Sequence, residues 1–142
     1  MVDEQNKTRV RGILKGFKGA TMEVINRGHC TPFITKDGSI IRELLAHRNS
    51  AICNQSLAEA TVPAGVITQR HYHPKTEEIY YIISGSGLME IDQQVRQVGP
   101  GDAIAIPPGC VHRIHNPNQS DLVFLCCCAP AYEHSDTVLL DT

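Results

Sequence analysis

Short apolar segments separated by turn-forming residues run from Met22 to the C-terminus of the chain. Segments of about four to eight residues that are rich in β-branched and aromatic residues and bounded by Gly, Pro, Asn, Asp and Ser are typical of β-strands. One such segment, Ser39–Leu45, also fits a helical turn. The predicted strands are Pro32–Lys36, Ser39–Leu45, Ser56–Val62, Val66–His73, Glu78–Ile83, Leu88–Ile91, Val95–Val98, Ala103–Ile106, Val111–His115 and Leu122–Cys128. Because no helical segments separate them, the pattern predicts an all-β sandwich or barrel.

Two of the predicted turns indicate a specific geometry. Asp37-Gly38 lies between two strand-like segments, which is a strong signal for a β-hairpin. The sequence SGSG at residues 84–87 lies between the predicted strands Glu78–Ile83 and Leu88–Ile91. Its glycines permit the positive backbone angles of a hairpin turn. We therefore predict that each of these turns joins neighbouring strands.

The N-terminal residues differ from the rest of the chain. Residues 1–21 contain five basic side chains and three glycines, without a clean hydrophobic period. We predict that they form a flexible extension and that residues 22–142 form a single barrel domain, since 142 residues is an ordinary length for one domain. A basic arm that binds an acidic partner is the alternative interpretation of the extension.

Composition and charge exclude several classes of protein. Hydrophobic residues make up 42% of the chain and charged residues 20%, as in an ordinary folded protein rather than a disordered one. The net charge of −2 gives no indication of nucleic-acid binding. The longest apolar runs, Ile79–Ile83 and Leu122–Ala131, fall well short of the ~20 residues that a membrane-spanning helix requires. The class of partner must therefore be inferred from the local chemistry of the chain.

The six cysteines lack the spacing of a disulfide framework, because Cys126, Cys127 and Cys128 are consecutive and the other three are scattered. The N-terminal residues also lack the apolar core of a signal peptide. These two observations predict free thiols in a cytoplasmic protein. Burial as small apolar residues is the ordinary interpretation of Cys126–Cys128, and a thiol in a ligand pocket is the alternative.

Three histidines and one glutamate form the candidate chemical site. His71 and His73 are two residues apart on a predicted strand, so their side chains lie on one face. Glu78 follows on the next strand, and His112 comes just after a Pro-Pro-Gly turn. Three imidazoles and one carboxylate suit a divalent first-row metal ion if the fold brings them together. Taken alone, a His-x-His pair on a strand is more often a surface or hydrogen-bonded pair.

Two spaced motifs contain these four residues. Residues 65–85 read G-x5-H-x-H-x4-E-x6-G, and residues 101–116 read G-x5-P-x-G-x2-H-x3-N. A chance match to ten specified positions is negligible at ordinary amino-acid frequencies. The motifs resemble the two signature motifs of the cupin superfamily, and the resemblance covers about residues 50–130. It implies an all-β cupin barrel of the jelly-roll type, and commonly a homodimer.

The resemblance also implies a ligand set for one metal ion inside the barrel, namely His71, His73, Glu78 and His112. The six-residue gap to Gly85 favours Glu78 over its neighbour Glu77. Iron, manganese, nickel, cobalt and zinc all suit three imidazoles and a carboxylate. The expected cofactor is therefore one divalent transition metal ion of undetermined identity.

Strand parity predicts further residues of the site. Gln69, Tyr80 and Ile82 share faces with the proposed ligands, and we predict that they line a substrate pocket. Tyr80 is the candidate catalytic residue, either orienting a substrate or transferring a proton. Packing in the core with a satisfied hydroxyl is the alternative role for Tyr80. By the same parity, Arg113 and His115 point away from the face that carries His112.

The resemblance leaves the reaction open, because cupins include dioxygenases, decarboxylases, isomerases, lyases and non-catalytic binders. We predict a metalloenzyme that acts on a small polar molecule by dioxygenase- or isomerase-type chemistry. A non-catalytic cupin that binds a small acid or sugar through the metal site is the alternative. A DNA-binding regulator is less favoured, since the sequence shows no helix-turn-helix pattern. The sequence has no cluster of Arg and Lys at inward strand positions, and this counts against a phosphate substrate.

Overall fold

The computed structural model describes residues 21–140, and within them β-strands predominate. Two single-turn 3-10 helices span Arg27–His29 and His134–Asp136, and neither has the length and apolar content of a bilayer-spanning segment. The extension predicted for residues 1–21 lies outside the described residues apart from Thr21, so it stays a prediction. The strands are β1 (Phe33–Ile34), β2 (Ile40–Leu45), β3 (Ser56–Val62), β4 (His71–Tyr72), β5 (Glu77–Ser84), β6 (Gly87–Ile91), β7 (Gln94–Val98), β8 (Ala103–Ile106), β9 (His112–His115), β10 (Leu122–Ala129) and β11 (Val138–Leu139).

The strands form two antiparallel sheets. The six-stranded sheet has the order β1-β2-β3-β10-β5-β8, and the five-stranded sheet has the order β11-β4-β9-β6-β7. Burial alternates residue by residue along β10 and along most of β5, because one face of each strand packs against the opposite sheet. The predicted all-β jelly roll of the cupin type is confirmed.

The apolar core lies between the inner faces of the two sheets. Phe124, Ile82, Ile114 and Leu122 are the largest apolar side chains that are almost fully buried there, and burial of each such side chain stabilises the fold by about 1.5–3 kcal/mol. Tyr80, Phe124 and Cys126 belong both to this core and to the wall of a cavity that His71 and His73 also line. The core and the candidate site therefore adjoin.

Most predicted strands are present, and several differ in extent from the prediction. Ile40–Leu45 is a strand rather than a helical turn, and the hairpin around Gly38 is confirmed by the pairing of Phe33 with Ile41. The segment predicted as Val66–His73 is regular only in β4. The residues just before β4 bond to several parts of the fold, because the Gln69 N–H donates to Asp37 O and the Thr68 N–H donates to Ile114 O.

The predicted hairpin at residues 84–87 is wrong. Strands β5 and β6 lie in different sheets, so these residues carry the chain from one sheet to the other. Gly85 has φ +76°, and a Cβ atom there would lie 2.4 Å from Asp121 O. At Gly87 a Cβ atom would lie 2.8 Å from His115 O. Both glycines are needed because the backbone of the link passes so close to neighbouring chain segments.

Candidate metal centre

The four proposed metal ligands come from both sheets. His71 opens β4 and His112 opens β9, and the two residues pair across these strands. His73 lies one residue beyond β4, and Glu78 is the second residue of β5 in the six-stranded sheet. All four are buried, with exposed fractions of 3% for His71, 3% for His73, 5% for Glu78 and 1% for His112. The fold therefore brings together the four residues that the spacing predicts.

The distances within this group are short. One ring nitrogen from each histidine lies within 4.8 Å of the corresponding atoms of the other two. The Oε1 atom of Glu78 lies 3.4 Å from Nε2 of His73 and 3.4 Å from Nε2 of His112. Glu77, the neighbouring acidic residue, is exposed on the opposite face of β5. Three ring nitrogens and one carboxylate oxygen thus converge on one small volume.

Backbone carbonyls fix the orientation of all three imidazole rings. A carbonyl oxygen only accepts hydrogen bonds, so each ring nitrogen beside one carries the proton, and in the neutral ring the other nitrogen presents a lone pair. Ligating histidines are commonly oriented in this way. The Nδ1 atoms lie 2.8 Å from Gln69 O for His71, 2.9 Å from Cys110 O for His112 and 3.1 Å from Asp136 O for His73.

Two atoms at the centre of the group have no hydrogen-bond partner within the described residues, namely Glu78 Oε1 and His112 Nε2. A buried polar atom without a partner costs about 1–3 kcal/mol. Here both atoms present lone pairs to each other, which is repulsive. A cation between them would satisfy both at once, so the residues fit a bound metal ion.

The pKa shifts of Glu78 and His71 favour the forms that bind a metal ion, whereas the shift of His73 favours its protonated form. Burial disfavours the charged form of the Glu78 carboxyl, but the rings of His112 and His73 outweigh burial and lower its pKa to about 2. Burial and the neighbouring His112 ring lower the pKa of His71. For His73, burial acts to lower the pKa, but the Glu78 carboxylate outweighs it and raises the pKa. An ionised carboxylate beside histidines is a donor set for divalent transition metals.

The inner face of β10 places two thiols beside the group. The Cys128 Sγ–H donates to Glu78 Oε2 at 3.2 Å, and burial raises the pKa of this thiol, so it stays protonated. Cys126 is also buried and faces the same cavity, whereas Cys127 lies on the outer face. The alternative of a pocket-lining thiol, left open by the sequence, therefore holds for Cys126 and Cys128.

A cavity of about 50 Å³ opens beside the histidines. Tyr80 lines it, with its ring packed against Phe124 at a centroid distance of 4.4 Å. Gln69 and Ile82 are not among its lining residues. Ile82 faces inward but lies four residues along β5 from Glu78, about 13 Å away at the rise of a strand, and it packs in the apolar core. Gln69 precedes β4, so strand parity does not apply, and its Nε2 lies 3.5 Å from Leu140 O.

Several residues that the sequence did not single out for the site also line the cavity, among them Asp37, Tyr132 and Thr137. Thr137 Oγ1 lies 3.3 Å from His73 Nδ1. Asp37 was identified only as a turn residue. Its location depends on the bond between Gln69 N–H and Asp37 O, which holds the β1–β2 hairpin against the segment before β4. The sequence shows the aspartate-glycine turn, but it does not show that this turn lies beside the histidines.

A cupin-domain family model matches residues 58–128, which is half of the chain. The sheets and the spacing of the site residues agree with this match, and the chain belongs to the cupin family. An uncharacterized protein of Methanocaldococcus jannaschii is 48% identical over 123 residues, which cover 85% of this chain and 98% of that relative.

Solved structures with the same fold include two with named activities. The polyketide cyclase RemF from Streptomyces resistomycificus superimposes with a TM-score of 0.74 at 23% identity, covering 86% of this chain and 87% of that one. A predicted oxalate decarboxylase from Thermotoga maritima gives a TM-score of 0.68 at 24% identity, covering 76% of this chain and 99% of that one. At these identities the likeness establishes the fold alone.

Proposed function

We propose that this cupin binds one divalent transition metal ion and acts as a metalloenzyme on a small polar molecule. The proposed ligands are His71, His73, Glu78 and His112. The observation that carries the proposal is the pair of buried, unpartnered atoms Glu78 Oε1 and His112 Nε2. A bound ion of this class polarises substrate oxygens and stabilises negative charge that develops on them.

The residues of the chain itself would bind and orient the substrate. Tyr80 lines the cavity beside the ligands, and the Tyr80 ring is held by Phe124 at 4.4 Å and by His112 at 6.0 Å between centroids. We propose Tyr80 as the catalytic residue that donates a hydrogen bond to the substrate. Donors and acceptors near the proposed ion suit isomerase-type chemistry, whereas dioxygenase-type chemistry calls for a transition metal ion that can take part in oxygen chemistry.

The names of the structural neighbours add only an analogy to this proposal. Both are named as enzymes that act on small organic molecules, one a polyketide cyclase and the other a predicted oxalate decarboxylase. One fold hosts many reactions, so neither activity carries over to this chain. The analogy supports an enzyme rather than a structural protein.

Metal content tests the ligand set directly. Protein purified under low oxygen is analysed for metals as wild type, His112→Ala and His115→Ala. We expect about one ion per wild-type chain and a loss of at least about tenfold in metal affinity for His112→Ala, with circular dichroism unchanged. His115 lies on the outward face of β9, so its substitution is the matched control. Full metal retention by His112→Ala would remove the assignment, and equal loss in both variants would mean that the strand register is wrong.

The class of reaction is tested on the loaded protein. Iron together with oxygen uptake on adding hydroxy- and oxo-compounds would identify dioxygenase-type chemistry. Exchange of substrate carbon-bound hydrogen with deuterated water, without oxygen uptake, would identify isomerase-type chemistry. Ligand binding without either signal would favour the non-catalytic cupin that binds a small acid or sugar.

We also propose that the chain forms a homodimer through the outer face of its six-stranded sheet. On that face, β5 presents Ile79, Tyr81 and Ile83 with exposed fractions of 50%, 45% and 46%. The neighbouring β10 adds half-buried Val123 and Leu125. A contiguous exposed apolar patch is typical of an interaction surface, and a second copy of the chain would cover it. A cytoplasmic location stays a prediction.

A further inference from the structure

The cavity beside the proposed metal site is lined by acidic and hydroxyl side chains. Its acidic side chains other than Glu78 are Asp37 and Glu43. Among the described residues that line it there is no lysine and no arginine. The hydroxyl groups of the lining belong to Thr35, Ser39, Tyr80, Tyr132 and Thr137. This lining offers hydrogen-bond acceptors and hydroxyls to a ligand, and it offers no lysine or arginine.

Asp37 is held so that one of its oxygens faces the site. The Ser39 N–H and the Ser39 hydroxyl both donate to Asp37 Oδ1, at 2.9 Å and 2.6 Å. The other oxygen, Oδ2, lies 3.9 Å from His71 Nε2. Because Ser39 occupies one oxygen, the orientation of the carboxylate is fixed. The remaining oxygen is available to a ligand that sits beside the histidines.

Glu43 does not present a free charge in the same way. Arg48 binds it with two parallel hydrogen bonds, from Nε to Oε1 at 3.0 Å and from Nη2 to Oε2 at 2.8 Å. Such a bidentate pair neutralises the carboxylate. Within the described residues, the only basic side chain in ion-pair range of Asp37 is His71. Asp37 is therefore the carboxylate of the cavity that would discriminate between ligands.

Hydroxyl groups complete the lining of the cavity. Tyr132 Oη lies 3.0 Å from Thr35 Oγ1 and 3.2 Å from His134 Nδ1. Thr35 precedes Asp37 in the same β1–β2 loop, so the hairpin delivers a carboxylate and a hydroxyl to one side of the cavity. A hydroxyl can donate and accept, which suits a ligand that also carries hydroxyl groups.

We infer that the ligand of this cavity is a small, uncharged polyhydroxy compound and that Asp37 accepts a hydrogen bond from one of its hydroxyls. The inference rests on the proposed function, because the ligand's remaining oxygens would face the proposed metal ligands. The cavity of about 50 Å³ admits only a few non-hydrogen atoms. A phosphate or a second carboxylate would lie near the Asp37 charge without an arginine or lysine to offset it.

The experiment compares probes of different charge on zinc-loaded protein by titration calorimetry. Dihydroxyacetone is the uncharged probe, and dihydroxyacetone phosphate and malonate are the anionic probes. The proteins are wild type, Asp37→Asn and the matched control Asp121→Asn, which changes an exposed aspartate in the same way. Asparagine keeps an oxygen for the Ser39 bonds. Zinc content is measured for every sample before titration.

The wild-type protein should bind dihydroxyacetone more tightly than either anion. Asp37→Asn should weaken dihydroxyacetone binding by about tenfold, because a charge-assisted hydrogen bond is lost, and should tighten malonate binding. Asp121→Asn should match the wild type for all three probes.

Three results would overturn the inference. The first is an anion that binds the wild-type protein at least as tightly as dihydroxyacetone does. This comparison uses the wild-type protein alone, so it does not depend on whether a variant folds. The second is an Asp37→Asn variant that binds dihydroxyacetone and malonate with wild-type affinity. The third is zinc loss in Asp37→Asn, which would make Asp37 part of the metal site. Absence of zinc from the wild-type protein would instead contradict the proposed function itself.

Discussion

Cys128 binds one of the two carboxylate oxygens of Glu78 and leaves the other free for a metal ion. Its thiol donates to Oε2 at 3.2 Å, which leaves Oε1 directed at the ring nitrogens of His73 and His112. A carboxylate held at one oxygen loses less rotational freedom when the other oxygen binds an ion. Residues behind the ligands commonly affect metal affinity through such contacts.

We expect Cys128→Ala to weaken metal affinity by about tenfold, because Glu78 Oε2 would lose its donor in a buried site. Cys128→Ser should stay within about threefold of wild type, since a hydroxyl can replace the donated hydrogen bond. Affinity is measured by competition with a chromophoric chelator. Cys127→Ala, on the outer face of β10, is the control. Equal affinities for the alanine and serine variants would argue against an orienting hydrogen bond.

The spacing of the sequence predicted which four side chains meet, but it could not predict Asp37. The motifs are local in sequence, and their resemblance to the cupin motifs implies His71, His73, Glu78 and His112 as candidates. Asp37 reaches them through a hydrogen bond to Gln69, a residue far away in the sequence. Which segments form such a contact depends on the whole arrangement of strands, and a turn signal carries no information about it.

The positions of strands were predictable because they depend on local sequence. The sheet to which each strand belongs was not predictable in this way. Short apolar segments between turn residues identify β3 and β8 with the observed bounds. The link between β5 and β6 has the composition of a hairpin, yet β5 pairs with β10 and β8 while β6 pairs with β7 and β9. Apart from the β6–β7 hairpin, these partners are distant in sequence, so the exchange between sheets at residues 84–87 depends on non-local pairing.

The link between β5 and β6 should be sensitive to a single methyl group. We expect Gly85→Ala to lower the free energy of unfolding by about 2–4 kcal/mol, because the residue has φ +76° and the new Cβ would lie 2.4 Å from Asp121 O. Gly99→Ala is the control, with no atom within 4 Å of the new Cβ, and it should change stability by less than about 0.5 kcal/mol. Urea unfolding monitored by circular dichroism measures both. Similar stability of the two variants would mean that the link is looser than the structure describes.

Both sheets are needed to complete the candidate site. The five-stranded sheet carries His71 and His112, and the six-stranded sheet carries Glu78 and Cys128. Any motion that separates the sheets would separate the carboxylate from the imidazoles. A metal ion bound by residues of both sheets would therefore link them, and binding to the folded state alone stabilises that state. The proposed metal site and the stability of the fold are thus coupled.

The outer face of the six-stranded sheet determines the expected size of the molecule in solution. An interface of standard size buries about 800 Å² on each partner, and a two-fold axis would bring the same apolar patch of both copies together. We expect a mass of twice the chain mass of 15.6 kDa. Ile79→Arg should convert this dimer to monomers, because two guanidinium groups would be buried without partners. Light scattering coupled to size exclusion measures the mass.

The control for this prediction lies on the other sheet. Val95 on β7 is 57% exposed, close to the 50% of Ile79, so Val95→Arg introduces the same charge at a similarly exposed strand position. It should leave the dimer intact, because β7 belongs to the five-stranded sheet. A monomeric wild type, or a dimer that only Val95→Arg disrupts, would show that the apolar face of β5 is not the interface. Circular dichroism of both variants separates loss of the dimer from loss of the fold.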